Sequence, residues 1–154
     1  MKIRTTWKDI LLTAVTAAIL IGSFIYIGVM WKTLPDEIPA HFNMQGDVIG
    51  YEDKRVLWTM PCIALLVFIT IQVVKFFPQT WSVGVTVRKE NLPIVMHLAK
   101  ELIEVTALII TVFFCYLGIS IIHGSAGTMT AVFIFMAVLA IPIVVYLIRA
   151  SRLK

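Results

Sequence analysis

Residues 34 to 55 read LPDEIPAHFNMQGDVIGYEDKR, and side chains capable of directional chemistry crowd together there. Carboxylates come from Asp36, Glu37, Asp47, Glu52 and Asp53, an imidazole from His41, an amide from Asn43, a phenol from Tyr51, and cations from Lys54 and Arg55. Such a set could ligate a metal or recognise a polar ligand. For a metal, His41 and His123 could meet with Asp36 or Glu37 if their two loops lie side by side. A catalytic zinc takes three protein ligands at tetrahedral geometry. The chain has no HExxH, no CxxC and no histidine pair at helical spacing. The expectation is therefore no metal and no cofactor. Recognition is the stronger reading, with Asp36, Glu37, His41, Asn43, Asp47, Tyr51 and Lys54 as the candidate ligand- or partner-binding residues. Within that set Asn43 and Tyr51 are expected to hold the loop, and His41, Asp36 and Glu37 to face outward.

The segment is too structured for a bare linker. Pro35 and Pro39 fix their own φ and disfavour helix at Leu34 and Ile38. Gln45-Gly46-Asp47 is a turn signal, and Gly50 is a second flexible point. Phe42, Val48, Ile49 and Tyr51 lie between the turns and are expected to fold down onto whatever flanks the loop.

What flanks it is apolar. The 154 residues are 60% hydrophobic and 14% charged, against about 45–50% and about 25% in soluble domains. One small core cannot bury that excess, so lipid must cover it. Four runs, at about 10–30, 56–77, 102–122 and 130–148, approach the ~20 residues that a helix needs to cross a membrane. Helices are expected because lipid offers a backbone amide no partner. The first run follows Lys2, Arg4 and Lys8 but is too long for a signal-peptide core, so it reads as a retained anchor. One all-α domain spanning residues 1–154 is enough, and no internal repeat is visible. Pro61 fits the first turn of a late-starting second helix. Pro142, in the middle of the fourth run, is expected to bend it.

Basic residues cluster before the first run, between the second and third, and after the fourth. The positive-inside rule then puts both termini in the cytoplasm and the polar loop outside, in a multi-pass protein of the cell membrane. Trp7 and Trp81 fall at the inner interface, Trp31 and Trp58 at the outer one. The net charge of +4 is spread over loop ends and is no sign of nucleic-acid binding. Cys62 and Cys115 both lie in apolar runs and are expected to be free thiols. Ala14, Ala18 and Gly22 make a small-residue stripe, suited to a homodimer face or to packing within the bundle. Intramembrane hydrolysis and proton-coupled transport need ionisable groups deep in the spans. The middles of the four runs hold none, so the chain is not expected to be an enzyme.

A second polar stretch follows the second run. Residues 81–88 alternate, with Trp81, Val83, Val85 and Val87 on one side, which reads as a strand. Asn91 and Pro93 suit the start of a helix. Along it Ile94, Leu98, Leu102 and Val105 share one side. His97–Glu101 and Lys100–Glu104 would pair on its surface. Trp81, Arg88, Lys89, His97, Lys100 and Glu101 are the candidate surface for a cytoplasmic protein partner.

LP-x-x-IP-x-HFN, a Gly-Asp turn and GY-x-x-K before an apolar run with an early proline together carry a family resemblance. The matching residues are Leu34, Pro35, Ile38, Pro39, His41, Phe42, Asn43, Gly46, Gly50, Tyr51, Lys54 and Pro61, a motif region of 34–61. The stretch from about 10 to 75 resembles a domain of unknown function in small bacterial and archaeal membrane proteins. The same domain forms the N-terminal part of SdpI-type immunity proteins. The further membrane region of those proteins, rich in Gly, Arg, Thr and Pro, has no visible counterpart after Ile122. The resemblance implies the fold element of residues 10–75, and with the two later apolar runs the chain reads as an all-α membrane protein of four transmembrane helices with an ordered extracytoplasmic loop between the first two. The resemblance also implies a non-catalytic binding or sensing role in toxin immunity or envelope-stress signalling, with a peptide or protein ligand at the loop. The alternative is an accessory subunit or structural organiser of a membrane complex, with the loop as a lid.

Overall fold

The computed structural model describes residues 5–81, 84, 86–124 and 129–153. Helix α1 spans Trp7–Met30, α2 Thr59–Val74, α3 Leu92–Ile122 and α4 Met129–Ser151. All four apolar stretches are long enough to cross a membrane. Helix α1 starts at a capping box: the Thr6 hydroxyl accepts from the Asp9 amide, and the Asp9 carboxylate accepts from the Thr6 amide. Helix α2 follows a short 3-10 turn, Lys54–Trp58, so Pro61 falls in its first turn and removes no needed hydrogen bond. Helix α4 runs on unbroken through Pro142.

The loop between α1 and α2 is an antiparallel hairpin of β1, Glu37–Phe42, and β2, Val48–Asp53, with irregular register around His41. Its turn is built by Asn43. The Asn43 side-chain oxygen accepts from the amides of Gln45 and Asp47, and its nitrogen donates to the Asp47 carboxylate. Gly46 closes the turn at φ 94°, where a side chain would be strained.

Helix α3 is the axis of the bundle, and α1, α2 and α4 all pack on it. At 31 residues it is about 46 Å long, well beyond one hydrocarbon thickness. Three apolar clusters are stacked along it. Ile27, Ile38 and Leu57 pack with Trp31 and Ile121 at the hairpin end. Leu20, Ala64 and Cys115 lie in the middle. Val95, Ala99, Tyr146 and Ala150 lie at the opposite end, with the end of α4, called here the termini end. Both cysteines are free, Cys62 exposed on its helix and Cys115 buried.

The strand expected at 81–88 is not seen among the described residues there. Trp81, Thr86, Val87 and Arg88 have no regular structure, and Ser82, Val83 and Val85 lie outside the described residues. A lone strand has no ladder to satisfy its backbone. Trp81 instead donates its indole N–H to the Val74 carbonyl at 3.0 Å. Trp81 and Val87 pack on the cluster at the termini end.

Candidate functional site

The hairpin is held on one side and open on the other. Ile38 is 2% exposed between α1 and the 3-10 turn. Lys54 clamps the hairpin's base: its amide donates to the Asp36 carbonyl and its ammonium meets the Asp36 carboxylate at 2.9 Å. The same ammonium lies 5.3 Å from the centre of the Trp31 ring, a cation–π approach that ties the base to α1. Lys54 holds the Asp36 carboxyl below its usual range. His41 Nε2 meets Glu52 Oε1 at 2.6 Å across the strands, on the exposed side. Asn43 and Asp47 are used inside the turn.

Two expectations for the loop need correction. Tyr51 does not brace the hairpin but is 64% exposed. Val48 and Ile49 do not fold onto the helices either, and with Met44 they project from the hairpin. Strand pairing alternates side chains between faces. Docking through Ile38 therefore turns part of the apolar set away from the bundle.

On α3 the expected apolar side still packs inward through Leu98 and Leu102, on the cluster at the termini end, but the expected charged surface does not stay outside. Lys100 and Glu104 are buried, while Ile94 is exposed. Among the described residues neither His97–Glu101 nor Lys100–Glu104 forms an ion pair. Glu101 instead approaches Arg149 of α4 at 3.9 Å. Arg88 lies 3.7 Å from Glu90, and Lys89 and Arg88 are exposed. His97 is half-buried. Of the candidate partner surface, Lys100 thus leaves the surface altogether. The physical reason is the solvent: lipid accepts apolar side chains, so a helix in a membrane turns its charged groups inward.

Those inward charges build a site that the sequence reading missed. Lys100 Nζ donates to Asp9 Oδ2 at 2.9 Å and to Thr5 Oγ1 at 3.2 Å. Lys75, which caps α2, donates to Glu104 Oε1 and to Thr13 Oγ1. The Thr13 hydroxyl lies 3.1 Å from each Glu104 oxygen. Two ion pairs therefore join three helices. Asp9–Lys100 links α1 to α3, and Glu104–Lys75 links α3 to α2. Burial is nearly complete for Asp9 at 3% exposure and Glu104 at 1%. A pair this well buried is neutral as a unit, and each charge depends on its partner.

The pairs floor a cleft of about 850 Å³ between α1 and the last turn of α2. It exists because α1 and α2 both lean on α3 and scarcely touch each other. They are bridged at the hairpin end, where Phe24 and Trp31 pack on Trp58. Ala14 and Ala17, with no bulk, form the α1 wall, and Gln72, Phe76 and Trp81 stand opposite. Ala14, Ala18 and Gly22 all remain exposed. One sequence signal could have found the site: in a chain whose spans are otherwise uncharged, both signs of charge recur near the termini end of three runs.

His123 accepts or donates a 2.9 Å bond with the Tyr26 hydroxyl at the hairpin end, while His41 serves Glu52. Among the described residues no group of three His, Cys, Asp or Glu side chains is placed to hold a metal.

Residues 18–65 match a family described as Domain of unknown function (DUF1648). No curated protein and no solved structure matches the chain. The matched stretch runs from the middle of α1 through the hairpin into the first half of α2. Asp9, Lys75, Lys100 and Glu104 all lie outside it.

Proposed function

We propose that this integral membrane protein is a non-catalytic binding or sensing module of the SdpI-like type. It would sit in the cell membrane with both termini in the cytoplasm and the hairpin outside. Its task on this reading is immunity to a membrane-active toxin or signalling of envelope stress. One observation carries the proposal: the hairpin is pinned by Ile38 and Lys54 yet presents Glu37, His41, Ile49 and Tyr51 to the surroundings. A rigid, mixed polar and apolar platform suits recognition of a peptide or protein, because little ordering entropy is left to lose on binding. The resemblance of residues 34–61 to the SdpI-type motif supports the same reading. The charges in the cleft neutralise one another, which favours holding over catalysis.

The test is deletion of the gene followed by challenge with membrane-active peptides. The expected result is sensitisation, restored by the wild-type gene and not by a stable triple variant carrying Asp36→Ala, Glu37→Ala and His41→Ala. Full protection by that triple variant would remove recognition and leave the hairpin as a lid.

A further inference from the structure

We propose that the cleft between α1 and α2 binds one anionic phospholipid from the leaflet at the termini end. Its phosphate lies among Lys75, Lys100 and Gln72, and an acyl chain runs along Ala14 and Ala17. This site is at the opposite end from the hairpin platform and stands without the immunity reading.

The first argument is hydrogen-bonding capacity. An ammonium carries three N–H donors and no acceptor. Lys75 uses two, on Thr13 and Glu104, and Lys100 uses two, on Thr5 and Asp9. Each retains one. Gln72 lines the same cleft, and its buried Nε2 has no hydrogen-bond partner, so turning that amide into the cleft would break no existing bond. Native structures leave few buried donors unpaired, because each costs free energy. Lys100 is itself only 8% exposed along its side chain. Three donors in one cleft call for a ligand rich in acceptor oxygens and poor in donors. A phosphate diester meets that need.

The second argument is the wall. Ile10, Ala14, Ala17 and Phe76 make most of the lining apolar. A small soluble anion would leave that apolar surface uncovered, whereas an acyl chain matches and covers it. The cleft volume is in the range of ~300–1,000 Å³ typical of small-ligand sites. It therefore takes a headgroup and the upper part of one chain, and the rest stays in the bilayer.

The third argument is the field. By sequence the termini end carries ten basic and four acidic side chains, and the hairpin end three basic and five acidic. A lipid with net negative charge is drawn to the first end.

The experiment uses the full chain, purified in detergent, stripped of lipid and titrated with phosphatidylglycerol or phosphatidylcholine under native mass spectrometry. The expected result is one retained phosphatidylglycerol, held about ten-fold more tightly than phosphatidylcholine. Ala17→Phe fills the wall without touching the ion pairs, and Gln72→Leu removes one donor. Each is expected to abolish the preference at an unchanged melting temperature. Equal retention of the two lipids by the wild-type chain overturns the proposal, whatever the variants do. So does wild-type retention by either variant when it is folded. Displacement of the lipid by equimolar glycerol 3-phosphate would assign the site to a soluble phosphate instead and overturn it too.

Discussion

Glu104 shows most clearly what a single side chain does in this protein. Its carboxylate is almost fully buried, and it is held by Lys75 and Thr13 from two other helices. Removing one partner of such a pair strands the other charge, at about 3–5 kcal/mol, while replacing both with apolar groups is often neutral or better. Lys75→Met is therefore expected to lower the melting temperature in detergent sharply. Lys75→Met with Glu104→Leu is expected to recover most of the loss. A double variant no better than the single one would show that the pair does more than balance charge. Neither residue drew attention as a site in the sequence, because Glu104 looked like one half of a surface pair with Lys100. Helical spacing fixes which residues share a face but not which way the face turns. In water the apolar face goes inward; in lipid both apolar and inward-turned polar faces can be accommodated.

At the scale of elements, the hairpin is the part most legible beforehand and the part whose orientation was not. Its prolines, the Gln45-Gly46-Asp47 turn and the polar set all pointed to an ordered loop, and the strands and Asn43 turn are the result. Which side would dock depended on Ile38 meeting Ile27 and Leu57, a contact between distant segments. The base clamp has a pH signature. Lys54, by hydrogen bond and by charge, depresses the Asp36 carboxyl below its ordinary value of 3.8. A depressed folded value means that the clamp contributes fully above the unfolded value and is lost as pH falls through the lower folded one. The exposure of Asp36 keeps that contribution small. Carboxyl NMR on the wild-type chain is expected to place the Asp36 midpoint below 3.8, and Lys54→Met to return it upward. An unchanged midpoint in the variant would separate Asp36 from Lys54.

Across the whole molecule the two ends differ in charge, in contents and in their relation to the matched family. The hairpin falls within residues 18–65, and the cleft residues lie outside them. The bias of Lys and Arg toward the termini end predicts that this end faces the cytoplasm. In intact cells, an Asn43→Cys variant made in a background lacking Cys62 and Cys115 is expected to react with an impermeant thiol reagent. Reaction only after lysis would reverse the orientation.

Composition and run length by themselves determined four membrane-length helices, since runs of about 20 apolar residues fit a helix that satisfies its own backbone amides and are too long for barrel strands. Turn chemistry likewise determined an ordered element between the first two. Only the tertiary structure decided that Asp9, Lys75, Lys100 and Glu104 share one site. They come from three helices that are far apart in sequence, and Asp9 and Lys75 taken singly each read as a charged residue at the edge of a span. Their convergence depends on α1 and α2 packing on a common α3 while leaving a gap between themselves, which is a matter of helix shapes rather than of any local pattern.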